Sequence, residues 1–261
     1  MLLLKVIFRG KDMEHETVLQ SGFDYEGMIS LLDKLCRRYG YLEVGTLGHT
    51  FMDRNIPLVS IGKGKSSLVY VGAVYGREYM TSIALLRFIK EYCEAYSRGG
   101  KMYGNSIEAL FCEQTLYIIP MLDVDGAEYS IKGIADKDIL YDKLCEGKSD
   151  FECERGALSN FVRFGVSPKA VLTLRQQREG IVFSGISKSF VRAMSIAKCL
   201  SKITGYPIDA FNEETDFFLH EIDVPYVSLK CGDGRGKSGK DLPFYVYSNV
   251  REILFRTPFM I

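Results

Sequence analysis

The stretch from Leu68 to Tyr96 decides how the rest of this chain can fold. It begins Leu68-Val-Tyr-Val-Gly-Ala-Val74, a short, valine-rich apolar run that is typical of a strand buried on both faces. A turn follows at residues 75–76, and apolar residues then recur with helical spacing up to Tyr96. Strand, tight turn and helix form the unit that places binding sites at the carboxyl end of a strand in α/β proteins. That end carries the polar side chains of Tyr75, Arg77 and Glu78.

Length and composition indicate a globular protein with a sizeable core. The 261 residues suit one large α/β domain, and we expect a single domain over residues 1–261 with a hairpin of residues 1–20 appended to it. Hydrophobic residues make up 47% and charged residues 25%, which is ordinary for such proteins. Basic and acidic residues balance at 33 each, so no overall field favours nucleic acid or an anionic membrane as a partner. No apolar run reaches the ~18 residues of a membrane-spanning helix.

The cysteines predict a reducing compartment. There are seven of them, an odd number, and none forms a C-x-x-C pair or a zinc-type spacing. We therefore expect free thiols, most of them acting as small buried hydrophobic groups. The apolar run that follows Met1 is too short for the core of a signal peptide, which agrees with a cytoplasmic location.

One motif behind the first strand resembles a known metal-binding pattern. The string Ala73-Val-Tyr75-Gly-Arg77-Glu78, followed by Thr81-Ser82, resembles the first zinc-binding motif of the M14 zinc carboxypeptidases, His-x-x-Glu. The arginine and the glutamate of that motif are present, whereas Tyr75 stands in place of the histidine. The preceding segment, residues 47–62, also resembles the family's pattern, with matching spacing to Glu78.

Two later segments resemble the family's remaining site motifs. Residues 168–176 are similar to the strand that delivers the third zinc ligand, and Arg175 occupies the histidine position. Residues 224–232 are similar to the strand that carries the general base, and Lys230 occupies the glutamate position. The resemblance runs from about residue 23 to about residue 256. It implies an α/β fold with a mixed, twisted sheet of about eight strands and helices on both faces. The most similar type is the cell-wall γ-D-glutamyl-diaminopimelate peptidase.

Between these motifs the chain departs from the family. The block that grips the substrate's terminal carboxylate has no counterpart between Ser130 and Glu152, where we expect a shortened, charged connection of residues 131–151. A helix is expected to start at Glu152, with Phe164 among its inward-facing residues. A short helix is expected at residues 213–220.

The substituted residues do not suit zinc. A catalytic zinc needs about three nitrogen, sulfur or oxygen ligands and an open position for water. Tyr75 is a phenol with an ordinary pKa of about 10, and Arg175 has no acceptor lone pair. We expect no cofactor, and zinc only if the family's activity persists. Because a lone buried carboxylate costs several kcal/mol, Glu78 is predicted to pair with Arg175, Lys230 or both.

Simpler interpretations of these residues exist. Taken singly, Tyr75 would be a packed aromatic residue, and Arg175 and Lys230 would be solvated charges. Only their coincidence with three motif positions favours a site. His15, His49 and His220 share no metal-binding spacing, and the glycine-rich residues 232–238 lack the register of a phosphate-binding loop.

Three functional hypotheses follow. In the first, the chain is a metal-free pseudoenzyme whose former pocket, formed by Tyr75, Arg77, Glu78, Arg175 and Lys230, binds an anionic small molecule or peptide of the cell-wall type. In the second, it is a residual metallo-carboxypeptidase with a non-standard metal site. In the third, it is a protein-interaction scaffold, which a large exposed apolar patch would favour.

Overall fold

A computed structural model describes residues 23–133, 151–186, 188–209, 223–237 and 241–261 of the chain. The hairpin predicted at residues 1–20 and the helix predicted at 213–220 lie outside the described residues. So does most of the connection predicted at residues 131–151.

Seven strands of the described chain form one sheet, and two short strands form a separate ladder. The nine strands, in chain order, are β1 (Leu42–His49), β2 (Asn55–Gly62), β3 (Ser66–Val71), β4 (Lys101–Met102), β5 (Asn105–Ser106), β6 (Gln114–Ile119), β7 (Val171–Arg175), β8 (Gly180–Ser184) and β9 (Tyr226–Lys230). The large sheet has the order β1-β2-β6-β3-β7-β9-β8, and β4 pairs with β5.

The centre of the large sheet is parallel and its edges are antiparallel. Strands β6, β3, β7 and β9 run in the same direction, while β1, β2 and β8 pair with their neighbours antiparallel. The carboxyl ends of the four central strands therefore meet at one edge, which is where α/β proteins place their sites. The predicted mixed sheet is confirmed, with seven strands described where about eight were expected.

Helices cover both faces of this sheet. They are α1 (Tyr25–Arg38), α2 (Met80–Ser97), α3 (Ile107–Glu113), α4 (Val124–Ile131), α5 (Phe151–Asn160), α6 (Lys188–Thr204) and α7 (Leu242–Arg256). On one face, the Tyr70 hydroxyl of β3 donates to the carbonyl oxygen of Leu254 in α7 at 2.8 Å. On the other face, the ring of Tyr117 in β6 packs on the ring of Phe161, the residue directly after α5, with 5.3 Å between the ring centres. The four residues Leu68–Val71 are accordingly all buried, as the unbroken apolar run predicts.

Two predictions about single side chains are wrong. Phe164 was expected to face inward, but its side chain is 81% exposed. The chain changes from α-helix to π-helix over Phe161–Val166, and the wider turn shifts the register on which the prediction depended. Cysteines were expected to be mostly buried, yet of the six described only Cys93 and Cys231 are. All six have free thiols. No described helix is both long enough and apolar enough to cross a membrane.

Candidate functional site

The polar residues predicted to form a site lie at the carboxyl edge of the parallel strands. Tyr75 and Glu78 follow β3, Arg175 is the last residue of β7, and Lys230 is the last residue of β9. Arg175 and Lys230 are register partners on neighbouring parallel strands, so their side chains leave the sheet on the same side.

A tight turn positions Glu78. Ala73 adopts a positive φ of 39°, and residues Gly76–Glu78 form a single 3₁₀ turn before α2 begins. The Thr81 hydroxyl fixes this turn, since it accepts from the Ala73 amide at 2.7 Å and donates to the Glu78 carbonyl oxygen at 2.8 Å. Thr81 belongs to the threonine-serine pair that the sequence motif contains, and its hydroxyl is the group of that pair that holds the turn.

A second support comes from the turn after β6. One carboxylate oxygen of Asp123 accepts from the Gly76 amide at 2.6 Å, and the other accepts from the Gly126 amide at 2.9 Å, at the start of α4. A Cβ atom on Gly76 would come within 2.0 Å of the Gly126 carbonyl carbon. The two turns are thus held in contact, and only glycine fits between them.

The centre of the site is a buried ion pair between Arg175 and Glu78. Arg175 Nε donates to Glu78 Oε2 at 2.7 Å, and an Arg175 terminal nitrogen donates to Glu78 Oε1 at 3.1 Å. The side chains are only 2% and 4% exposed. Burial opposes the charge on Arg175, but hydrogen bonding to Glu78 and the charge of Glu78 outweigh it, so the pKa of Arg175 is raised. The predicted pairing of Glu78 is therefore confirmed, with Arg175 as the partner.

Neighbouring groups complete this ion pair. The Arg175 guanidinium lies 4.5 Å from the centre of the Tyr75 ring, which is a cation–π contact. The side-chain amide of Gln177 donates to Glu78 Oε1 at 3.4 Å. The backbone amide of Cys231 donates to the Arg175 carbonyl oxygen at 2.9 Å, and this thiol is completely buried.

The other two predicted residues do not join the pair. Lys230 Nζ lies 3.1 Å from Asp209 Oδ2, with which it forms a partly exposed ion pair. Arg77 is exposed, and within the described part of the chain no acidic side chain pairs with it. The structure thus brings Tyr75, Glu78 and Arg175 together, whereas Lys230 lies alongside with its own partner and Arg77 faces solvent.

Sequence reasoning missed three residues of this site. Asp209 follows α6 in a segment without a motif, and Gln177 is two residues beyond the strand that carries Arg175. Asp123 lies outside the segments that resemble the family's site motifs. Its position as the residue before a helix is the signal that identifies it as an N-cap.

The donor set does not fit zinc. Both oxygens of Glu78 are held by the Arg175 guanidinium, which is itself unable to bind a cation. Among the described residues no group of three or more histidine, cysteine, aspartate or glutamate side chains is arranged to hold a metal ion. The positive charge that a metal would bring to Glu78 is supplied by Arg175.

Sequence comparison supports the resemblance to zinc carboxypeptidases. The family model described as zinc carboxypeptidase matches residues 28–149, which include Tyr75, Arg77 and Glu78 but not Arg175 or Lys230. A curated relative, gamma-D-glutamyl-L-diamino acid endopeptidase 1 of Lysinibacillus sphaericus, is 27% identical over 125 residues. The match covers 48% of this chain and 32% of the relative, so it spans about a third of the relative's length.

Solved structures share the fold along nearly the whole chain. Bovine thrombin-activatable fibrinolysis inhibitor, solved in complex with tick carboxypeptidase inhibitor, has a TM-score of 0.70 at 14% identity, covering 93% of this chain and 98% of that one. A metallo-carboxypeptidase from Burkholderia cenocepacia has a TM-score of 0.65 at 12% identity, covering 93% and 71%. Carboxypeptidase A from Helicoverpa armigera has a TM-score of 0.67 at 12% identity, covering 91% and 71%. The predicted resemblance is confirmed, and the fold is that of the metallo-carboxypeptidases.

Proposed function

We propose that this chain is a zinc-free, catalytically inactive relative of the zinc carboxypeptidases that binds an anionic peptide in the former active-site cleft. The observation that carries the proposal is the buried ion pair of Arg175 with Glu78 at the position where the resemblance places the metal. An internal cation there removes the need for zinc, since it neutralises the one remaining ligand of the family's set.

The general-base position supports the loss of hydrolysis. A base that activates water must accept a proton, and the family's glutamate does so. Lys230 carries a positive charge at that position and pairs with Asp209. With Arg175 in place of a metal ligand and Lys230 in place of the base, both requirements of the family's chemistry are missing at their expected positions.

The remaining charges favour an anionic ligand. Arg175 is occupied by Glu78, so recognition of a carboxylate depends on exposed Arg77, with Lys230 as a neighbour at the same edge of the sheet. The curated relative acts, by its name, on a γ-D-glutamyl-L-diamino acid linkage. We therefore propose a peptide of the cell-wall type that carries a free carboxylate. Because six described cysteines have free thiols, we also propose a reducing, cytoplasmic location.

Metal content is the first test of this proposal. The purified protein is dialysed against zinc, and bound metal is measured by mass spectrometry. We expect less than about a tenth of an equivalent, because a real zinc site fills under these conditions. We also expect no cleavage of a γ-D-glutamyl-L-diaminopimelate peptide. Near one equivalent of zinc, together with cleavage that Glu78→Ala abolishes, would favour the residual-peptidase hypothesis instead.

Ligand binding is tested separately by calorimetry with the same peptide. We expect Arg77→Ala to weaken binding about tenfold, which is about 1.4 kcal/mol. Arg98→Ala is the matched control, because Arg98 is also exposed but lies at the opposite end of α2, and it should change affinity less than about twofold. When the carboxylates of the peptide are amidated, its affinity for the wild-type protein should fall to the affinity of the unmodified peptide for the Arg77→Ala variant. Equal affinities of the two variants would contradict the proposed ligand site.

A further inference from the structure

An exposed apolar corner, formed by Phe51 and Met52, lies at the same edge of the sheet as Arg77 and Glu78. The two residues belong to the turn between β1 and β2, and their side chains are 45% and 43% exposed. Strand β2 runs antiparallel to β6 and begins at Asn55, so this turn lies at the carboxyl edge of the parallel strands. Only β6 separates β2 from β3 in the sheet. Two strand spacings of about 4.8 Å therefore place the apolar corner about 10 Å along the edge from the turn that carries Arg77.

The turn is ordered, but its corner residues are not of the types that a turn favours. The Asp53 amide donates to the Thr50 carbonyl oxygen at 3.0 Å, which makes Phe51 and Met52 the two central residues of a β-turn. The Arg54 amide also donates to the Thr50 hydroxyl at 3.1 Å. Central turn positions favour glycine, proline, asparagine, aspartate and serine. Departures from such local rules concentrate at functional sites, so two large apolar residues at this corner indicate a binding role.

Contacts with the start of α4 fix the apolar corner relative to Arg77. The Met52 amide donates to Asp125 Oδ2 at 3.0 Å, and the side chain of Asp125 is completely buried. Gly126 follows Asp125 and touches Gly76, the residue before Arg77. The corner and the Arg77 turn are thus both held against the same two residues of α4, so a ligand that reaches from one to the other meets a fixed spacing.

The charges around the corner argue against a membrane as its occupant. Segments that insert into an anionic membrane combine apolar residues with free cations. Asp53 directly follows the corner with a 94% exposed side chain, and its carboxylate lies 3.4 Å from His49. The guanidinium of Arg54 is paired with Asp125. Exposed methionine and phenylalanine side chains beside a ligand site instead suit an apolar group of the ligand, because both pack on groups of varied shape.

We propose that the apolar corner binds an aliphatic side chain of the peptide ligand, about three residues before the terminal carboxylate that Arg77 binds. The spacing follows from geometry, because an extended peptide advances about 3.3 Å per residue and the two contacts are about 10 Å apart. Burial of this side chain against Phe51 and Met52 adds hydrophobic binding free energy to a site whose other contact is an exposed charge. This inference rests on the proposed function, since it adds a second contact to the same ligand.

Two peptides test the contact by calorimetry. Leucyl-alanyl-γ-D-glutamyl-diaminopimelate carries leucine three residues before its terminal residue, and the second peptide has serine in place of the leucine. The wild type should bind the leucine peptide about tenfold more tightly. In Phe51→Ser with Met52→Ser this ratio should fall below about twofold, while the affinity for the serine peptide should stay the same. Serine suits the central positions of a turn, and circular dichroism checks that the variant is folded.

Phe259 and Met260 provide a matched control. They are the same two residue types in the same order, and their side chains are 36% and 37% exposed. The carbonyl oxygen of Pro258 accepts from the side-chain amide of Gln114, the first residue of β6, so this pair lies at the opposite edge of the sheet. Phe259→Ser with Met260→Ser should leave the preference for leucine at about tenfold.

Failure of this inference can be told from failure of the proposed function. If Arg77→Ala weakens the binding of both peptides but the wild type does not distinguish leucine from serine, the corner contact is overturned and the anionic site stands. Equal loss of the leucine preference in the two double variants would overturn it as well. If neither peptide binds to the wild type, the proposed function fails and this inference fails with it. Binding to phosphatidylglycerol vesicles that Phe51→Ser with Met52→Ser abolishes, without any leucine preference, would assign the corner to a membrane instead.

Discussion

Arg175 Nε lies 2.7 Å from Glu78 Oε2, although 97 residues separate the two in the chain. The pair joins the end of β7 to the turn after β3, and both side chains are almost completely buried. Burying two charges is costly, and a buried pair contributes little net stability compared with apolar residues of the same size. Removing one partner is different, because it leaves an uncompensated charge in the interior.

The first prediction concerns the difference between removing one partner of this pair and replacing both. Arg175→Ala should lower the free energy of unfolding by about 3–5 kcal/mol, measured by urea denaturation. Glu78→Met combined with Arg175→Met should recover most of this loss. As a control, Arg37→Ala should cost less than about 1 kcal/mol, because Arg37 pairs with Asp33 on the exposed surface of α1. If Arg175→Ala and the double methionine variant are equally unstable, the instability of Arg175→Ala does not come from the uncompensated charge of Glu78.

The second prediction is that zinc binding can be restored with two substitutions. Tyr75→His with Arg175→His removes the guanidinium that holds Glu78 and supplies two imidazoles beside it, which gives three zinc donors. We expect about one equivalent of zinc by mass spectrometry. Tyr75→His alone should bind none, because Arg175 still holds Glu78, and adding Glu78→Gln to the double variant should abolish binding. A folded double variant that takes up no zinc would show that the three positions do not share one site.

How much of the site the sequence predicts depends on the kind of interaction. The Glu78 pair was predictable, because motif order placed Arg175 at a metal-ligand position and a buried carboxylate needs a counter-charge. The partner of Lys230 was not, because Asp209 lies after α6 in a segment with no periodic pattern or motif. Long-range pairing of a loop residue leaves no local signal in one sequence.

The fold, like the site, has features that the sequence predicts and features that it does not. Strand β3 was predictable from its unbroken apolar run and helix α2 from its apolar periodicity, and both patterns depend on local geometry. Phe164 was not, because a π-helix changes the number of residues per turn and its spacing looks helical in the sequence. Two glycines in contact, Gly76 and Gly126, likewise belong to turns that meet only in the folded chain.

The third prediction tests that contact. Gly76→Ala places a Cβ atom 2.0 Å from the Gly126 carbonyl carbon, and backbone atoms cannot move aside cheaply. We expect a loss of about 1–3 kcal/mol in the free energy of unfolding, together with weaker peptide binding because Arg77 and Glu78 follow directly. Gly156→Ala is the matched control. It lies in helix α5, and no heavy atom of the described residues outside that helix comes within 4 Å of the added Cβ, so it should stabilise the protein by about 0.5–1 kcal/mol. Equal effects of the two substitutions would mean that the turns are free to separate.

The fourth prediction concerns alkaline pH and the buried thiol of Cys93 in α2. Burial raises the pKa of Cys93 to about 12, well above the ordinary value of about 8.5. The folded state therefore keeps the proton more tightly than the unfolded state. Its contribution to stability is complete below about pH 8.5 and is lost as the pH rises towards 12, because unfolding then releases a proton.

Urea denaturation across this range measures the effect. Between pH 9 and 11 the free energy of unfolding of the wild type should fall more steeply than that of Cys93→Ala, by up to about 1.4 kcal/mol per pH unit, which corresponds to one proton. Cys112→Ala is the matched control variant, because it removes a thiol that is exposed in the folded state. Tyr41, whose hydroxyl donates to the Cys93 carbonyl oxygen at 2.8 Å, also has a pKa raised to about 12 by burial, so the Cys93→Ala protein should keep part of the slope. Parallel slopes in the wild type and in Cys93→Ala would show that this thiol does not titrate differently in the two states.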